Sequence, residues 1–175
     1  MPMSLHAAFI PSAMQMLGTT KGLVDKAEGW CIENNKDPSE LITCRLIEDM
    51  FAFDYQVKSV AVHTAGAIAG VKAGQFEPDM SPPPQSFAAM RTLLDDTMAV
   101  LDSYSEDDME NLIGTPVNFA FRGKVVASFV AENFLLSFSQ PNFYFHTTTA
   151  YDLLRMKGVP VGKLDFMGRM RVRAD

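Results

Sequence analysis

The sequence predicts an all-α fold, with four long helices and one small β-hairpin before the last of them. Over most of the chain, apolar residues recur at three- and four-residue steps, the period of a helix buried along one side. The exceptions are Pro- and Gly-containing stretches, which end helices, and residues 116–128, which alternate like strands. With 175 residues, the chain is expected to form one domain over residues 1–175.

The first three helices follow from the apolar spacing and from Pro and Ser positions. A first helix is expected over about residues 4–34 and a second over about residues 51–73, with His63 near its middle. Residues 74–85 contain three consecutive prolines, which cannot continue a helix, and therefore predict a crossover loop. Ser86 is a typical N-cap for the third helix.

The hairpin and the last helix are predicted by turn and stop residues. Residues 116–121 and 124–128 form two short strand-like runs on either side of Arg122-Gly123, as in a hairpin with a two-residue turn. The fourth helix is expected to start near Ser128 and to run to Lys157, because Gly158 is a natural C′ residue.

Charge and composition exclude several classes of function. A net charge of −6 and a pI near 5.0 argue against nucleic acid as a partner, since that partner requires clustered Lys and Arg. No stretch is apolar for long enough to predict a membrane span, and the acidic charge disfavours binding to a membrane surface. Cys31 and Cys44 form no metal-binding or disulfide pattern, so free thiols in the cytoplasm are expected.

The candidate site lies on the last helix. Asn142 and His146 are four residues apart, so they share one helix face beside Pro141. Proline within a helix costs about 3 kcal/mol and conflicts with the carbonyl four residues earlier, at Ser137. Asn142 could therefore simply cap that carbonyl. If His63 faces the same space, two imidazoles would meet there, with water or an acid such as Asp49 or Asp54 completing a metal site.

Local signatures of other enzyme classes do not occur in the sequence. It contains no GxGxxG, GxxxxGK[ST], GxSxG or HExxH motif, so dinucleotide, P-loop, hydrolase-elbow and zincin sites of those types are not predicted. Thr147, Thr148 and Thr149 follow His146, but within a helix such hydroxyls usually bond to the preceding turn.

The last helix carries a resemblance to a known group of proteins. Residues 141–166, PNFYFHTTTAYDLLRMKGVPVGKLDF, together with Asp49-Met50-Phe51, resemble an uncharacterised bacterial domain-of-unknown-function family within the DinB/YfiT-like metalloenzyme superfamily. The resemblance covers nearly the whole chain. It implies a four-helix bundle of up-down-down-up type, commonly a homodimer.

The resemblance also implies a set of metal ligands. Metal-bearing members take one His from the second helix and two, at i and i+4, from the last helix, which maps the metal site onto His63, Asn142 and His146. Asn142 stands where the family has its middle His, and an amide oxygen is a much poorer ligand for Zn, Ni or Fe than an imidazole. Characterised relatives include thiol-dependent transferases and isomerases.

Two hypotheses follow. In the first, the second and last helices form a polar pocket that is structural or binds a small molecule without a retained metal. In the second, the protein is a metal-assisted transferase or hydrolase that acts on a small electrophile, with Zn, Ni or Fe at His63 and His146 and with Tyr55 or Tyr151 as proton donor. The replacement of His by Asn142 favours the first hypothesis, and the two retained histidines favour the second.

Overall fold

Helices make up most of residues 3–173, which the computed structural model describes, and a small three-stranded sheet completes the fold. The ends of the predicted domain, residues 1–2 and 174–175, lie outside the described residues. The α-helices are α1 (Leu5–Glu33), α2 (Ser39–Ile42), α3 (Phe53–Val62), α4 (Ala65–Ala73), α5 (Phe87–Asp102), α6 (Glu106–Glu110), α7 (Ala131–Asn133), α8 (Gln140–Met156) and α9 (Lys163–Met167). The strands are β1 (Gln75–Phe76), β2 (Pro116–Phe121) and β3 (Lys124–Val130), and a π-helical segment spans Phe134–Ser139.

The first and third predicted helices are confirmed, and so is the predicted N-cap of the third at Ser86. The Ser4 hydroxyl accepts a hydrogen bond from the Ala7 amide at the start of α1, at 3.1 Å. The Ser86 hydroxyl accepts one from the Ala89 amide at the start of α5, also at 3.1 Å. Each bond satisfies one of the amides that a helix leaves unpaired in its first turn.

The second predicted helix is interrupted at His63, so the prediction of one continuous helix over residues 51–73 is wrong. Helix α3 ends at Val62 and α4 begins at Ala65. The Thr64 hydroxyl donates to the carbonyls of Val60 and Ala61, which diverts these groups from the helical hydrogen-bond pattern. His63 is therefore the C-cap residue of α3 rather than a residue within a helix.

The predicted hairpin is confirmed, and a third strand extends it. Strands β2 and β3 pair antiparallel, and the turn residues Arg122 and Gly123 have φ angles of 51° and 73°, as a two-residue hairpin turn requires. Strand β1 pairs parallel with β2, within a stretch that was predicted to be loop only. The close approach of Phe76 to α4 depends on Gly70, because a Cβ at Gly70 would lie 2.8 Å from the Phe76 Cβ.

The last helical stretch begins later than predicted and contains a π-helical segment. Strand β3 continues to Val130, so helical structure begins at Ala131 rather than near Ser128. The π-helical segment places Pro141 in the first turn of α8, where a missing amide hydrogen costs little. The backbone keeps right-handed helical angles at Ser139 and Gln140, and Gly158 follows α8 with a φ of 87°.

The long helices pack around one hydrophobic core. Helix α3 packs against α8 and α5, and α1 packs against α5 and α8. The largest fully buried side chains include Phe9, Phe53, Phe134 and Phe143. Cys31 and Cys44 are free thiols, as expected, and both are buried in this core. None of the helices within residues 3–173 is long and apolar enough to cross a membrane.

A buried lysine fixes part of the loop between β1 and α5. The Lys58 ammonium on α3 donates to the carbonyls of Asp79 and Ser81, at 3.1 and 2.7 Å, and forms an ion pair with the Asp79 carboxylate. The Lys58 side chain is 7% exposed, so these contacts replace its water shell. The proline-containing loop is thereby held against α3.

Candidate functional site

The structure places His63 and His146 side by side. His63 ends α3, His146 lies on α8, and their ring centroids are 5.7 Å apart with ring planes 18° from parallel. We call these two residues the histidine pair. Phe76 and Phe138 pack against the His63 ring at centroid distances of 5.3 and 5.8 Å. The imidazoles therefore meet at a mostly aromatic contact between the second and last helical stretches.

A glutamine contacts the histidine pair, although sequence analysis did not identify it. The Gln56 side-chain oxygen lies 2.7 Å from His146 Nδ1, and the Gln56 amide nitrogen donates to the Phe51 carbonyl at 2.9 Å. Gln56 precedes His63 by seven residues, two helical turns, and this spacing was the available signal that both side chains share one face. Gln56 is 2% exposed, so its side chain forms both hydrogen bonds from a buried position, although Phe51 and His146 are themselves more exposed.

Burial keeps both imidazoles neutral near pH 7. Loss of solvation and, to a smaller extent, the neighbouring His146 together lower the pKa of His63 from 6.5 to about 3. Loss of solvation also lowers the pKa of His146 from 6.5 to about 4. Because an uncharged imidazole has one N–H group and one lone pair, each ring can donate one hydrogen bond and accept another.

Two buried side-chain nitrogen or oxygen atoms lack hydrogen-bond partners within residues 3–173. They are His63 Nδ1 and Ser139 Oγ, and Ser139 is the last residue of the π-helical segment. An unpaired buried polar group costs about 1 to 3 kcal/mol, so native proteins keep few of them. The unpaired His63 nitrogen thus marks the histidine pair as a place with unused hydrogen-bonding capacity.

Asn142, the third predicted ligand, has a local partner. Its side-chain amide nitrogen donates to the Phe138 carbonyl at 2.7 Å, one turn earlier in the chain. The expectation that Asn142 caps a backbone carbonyl near Pro141 is therefore correct, but the carbonyl is that of Phe138 rather than Ser137. The π-helical segment before Pro141 shifts the hydrogen-bond pattern by one residue, and sequence spacing does not show this shift.

These donor groups do not fit the three-ligand metal site implied by the family resemblance. Catalytic zinc sites normally use three protein ligands, each a His, Cys, Asp or Glu. Within residues 3–173, no group of three such side chains is close enough to hold a metal ion. The histidine pair supplies two strong donors, and the Asn142 amide, already bonded to a carbonyl, would be a weak third.

The other side chains considered from the sequence are engaged elsewhere. Asp54 is buried, and its carboxylate accepts from the Tyr55 amide and from Gln85, at 2.6 and 3.2 Å. Burial raises the Asp54 pKa. The Tyr55 hydroxyl donates to the Met80 sulfur at 3.5 Å, and the Tyr151 ring packs against Phe166.

The threonines after His146 behave as helical hydroxyl groups usually do. The Thr149 hydroxyl donates to the Phe145 carbonyl at 2.9 Å, and Thr147 lies in the core with its hydroxyl 3.4 Å from that of Thr20. These contacts match the expectation that such hydroxyls bond within the fold, and they offer no arrangement for a nucleophile.

A cleft of about 380 Å³ lies next to Phe76, and neither residue of the histidine pair is among its lining residues. Val62, Gly70 and Phe76 are among its lining residues, and Phe76 also packs against the His63 ring. Another cleft, of about 470 Å³, lies between α1 and the C-terminal segment and contains neither histidine in its lining. Of these two clefts, only the one lined by Phe76 shares a lining residue with the aromatic contacts of His63.

Comparison with known proteins gives the family and the fold. Residues 5–167 match the family described as "Domain of unknown function (DUF1993)", and the chain belongs to this family. It is also similar to a DinB family member protein from Shewanella denitrificans, known from a crystal structure. The two share 26% sequence identity over 98% of this chain and 96% of the other, with a TM-score of 0.80. A search of curated proteins found no significant match.

The family match and the structural similarity together define a DinB-like protein from a family whose domain has no assigned function. The fold is mostly helical with a small three-stranded sheet, so the all-α prediction holds for the helices and omits strand β1.

Proposed function

We propose that this DinB-like protein binds a small uncharged molecule at the histidine pair without a retained metal. The observation that supports this function is the unpaired Nδ1 of His63, buried beside a second neutral imidazole. A buried nitrogen without a partner costs about 1 to 3 kcal/mol, and a ligand with a matching polar group would remove that cost.

The chemistry of the surroundings supports an uncharged ligand. Both imidazoles are neutral near pH 7, and Phe76 and Phe138 provide apolar walls on His63. A charged ligand would lose its water shell there without an opposite charge, at a cost of several kcal/mol. A small molecule with one apolar body and few polar groups fits these conditions best.

The donor set supports the absence of a metal role. Two imidazoles and one engaged amide fall short of the three strong ligands that relatives with a metal use. On this proposal Asn142 keeps its bond to the Phe138 carbonyl. Metal-assisted transfer or hydrolysis on a small electrophile is the competing function, and the two neighbouring imidazoles are what favours it.

The proposal also covers how the helices are arranged and how two chains associate. We infer that α1, the α3–α4 stretch, α5 and α8 form a single-domain four-helix bundle of up-down-down-up type that pairs as a homodimer. The similarity to the Shewanella protein over nearly its whole length supports the bundle. Light scattering coupled to size-exclusion chromatography tests the dimer.

Two measurements on the untagged protein test the proposed function. Elemental analysis should find Zn, Ni and Fe each far below one atom per chain. In a sample with labelled histidine rings, adding phenol should move the signals of His63 and His146 but leave His6 unchanged. One equivalent of metal that disappears in a His146→Ala variant would support the metal-assisted function instead. Phenol that moves none of the histidine signals would contradict ligand binding at this place.

A further inference from the structure

Gln56 has only one possible side-chain orientation. The Phe51 carbonyl can only accept a hydrogen bond, so the Gln56 group that faces it at 2.9 Å must be the NH₂ group. The Gln56 oxygen therefore faces His146, at 2.7 Å from Nδ1. Rotating the amide by half a turn would place two acceptors together at Phe51, within a buried site.

This orientation fixes the proton of the neutral His146 ring. The Gln56 oxygen can only accept, so His146 Nδ1 must carry the hydrogen and donate it. A neutral imidazole has a single ring hydrogen on nitrogen, and Nε2 must then carry the lone pair. The backbone carbonyl of Phe51 thus determines, through Gln56, which ring nitrogen of His146 accepts hydrogen bonds.

We propose that Gln56 is a positioning residue that holds His146 in the Nδ1–H form, so that Nε2 selects a ligand that donates a hydrogen bond. The ligand class rests on the proposed function, whereas the tautomer does not depend on any ligand. The ligand would be an uncharged molecule whose polar end is a hydroxyl or an N–H group. A ligand with only acceptor groups would leave Nε2 unpaired.

The tautomer can be measured in the ligand-free protein by nitrogen NMR of labelled histidine. In wild type at pH 7, His146 Nδ1 should give the signal of a protonated nitrogen and Nε2 that of an unprotonated one. Gln56→Leu removes the acceptor and should shift His146 toward a mixture of both forms. Gln85→Leu is the matched control, because Gln85 bonds to Asp54 and Pro83 instead, and it should keep the wild-type signals.

A second variant keeps the test valid if Gln56→Leu does not fold. Gln56→Glu retains an oxygen for the His146 Nδ1 hydrogen, so the Nδ1–H form should persist in it. The added carboxylate should also raise the His146 pKa, which NMR titration would show. A purely structural role for Gln56 would leave the His146 tautomer the same in Gln56→Leu and in Gln56→Glu. Protonated Nε2 in wild type would overturn the proposal.

Phenol and anisole test the ligand class, since a methyl group replaces the hydroxyl hydrogen in anisole. Phenol should bind about tenfold more tightly, the effect of one hydrogen bond of about 1.4 kcal/mol. Equal binding of both compounds would overturn the donor requirement. If neither compound binds while Nδ1 is protonated, the proposed ligand-binding function fails and the role of Gln56 in fixing the tautomer stands.

Discussion

Mild acid should destabilise the fold through His63, and this effect can be separated from other causes. The unfolded chain has a His pKa near 6.5, whereas burial lowers the folded-state pKa of His63 to about 3. Between these values the unfolded state binds a proton that the folded state excludes. The free energy of unfolding therefore falls as the pH drops below 6.5, and the loss is complete near pH 3.

The two pKa values give the magnitude. Between pH 7 and pH 5, the pH lies below the unfolded-state pKa of 6.5 for about 1.5 pH units, and over that range only the unfolded chain binds the proton. At 1.36 kcal/mol per unit, His63 alone should lower the free energy of unfolding by about 2 kcal/mol. His146, with a folded-state pKa of about 4, should lose nearly as much over this interval, and this loss is common to wild type and to a variant at His63. A loss of this size is a large share of the about 5 to 15 kcal/mol that stabilises a typical domain.

Urea denaturation at pH 7 and pH 5 measures this loss. Wild type should lose about 2 kcal/mol more between the two pH values than His63→Gln, which has no titrating ring. Carboxylates titrate in both proteins, so their contribution cancels in the comparison. Asn142→Ala is the control, because it alters the same site without removing a titrating group and should keep the wild-type loss. Equal losses in wild type and His63→Gln would refute the neutral, desolvated state of His63.

Three further predictions concern the scaffold around the site, each measured as a change in the free energy of unfolding. Gly70→Ala should cost about 1 to 3 kcal/mol because its Cβ would overlap Phe76. The control is Gly22→Ala at an exposed helical position with no atom within 4 Å, and it should gain up to about 1 kcal/mol. Equal effects of the two substitutions would contradict the close contact at Gly70. Lys58→Met should cost about 1 to 2 kcal/mol and speed proteolysis of the 77–85 loop. The control is Lys36→Met, which removes an exposed ion pair and should change stability by no more than about 0.5 kcal/mol. A loop that resists proteolysis in Lys58→Met as it does in wild type would contradict the anchoring role. Pro141→Ala should change stability by less than about 1 kcal/mol, since a gain near 3 kcal/mol would mean that Pro141 strains the helix.

Much of the helical fold is predictable because its signals are local. The N-cap Ser86, the hairpin turn at Arg122-Gly123 and the stop at Gly158 each depend on a few neighbouring residues, and each is confirmed. Strand β1 was missed because its pairing with β2 joins residues more than 40 positions apart. Two residues of extended chain carry no period that could reveal such pairing.

The site was predictable only in part, because its decisive contacts are long-range. Family resemblance pointed to His63 and His146, and the fold brings them together. The interruption at His63 and the π-helical segment before Pro141 depend on hydrogen bonds that sequence spacing does not specify. Gln56 was missed because a buried glutamine has no motif, although its spacing of seven residues from His63 placed it on the same helix face.

Zinc titration of the untagged protein tests the central claim most directly. The claim is that two imidazoles and one amide are too weak a set of ligands to retain a metal ion. Calorimetry of wild type and of Asn142→His should show no stoichiometric tight binding in wild type. The variant, with three imidazoles, should bind zinc more tightly by a clear margin. One tightly bound zinc per wild-type chain that is lost in His63→Ala and His146→Ala would contradict a metal-free histidine pair.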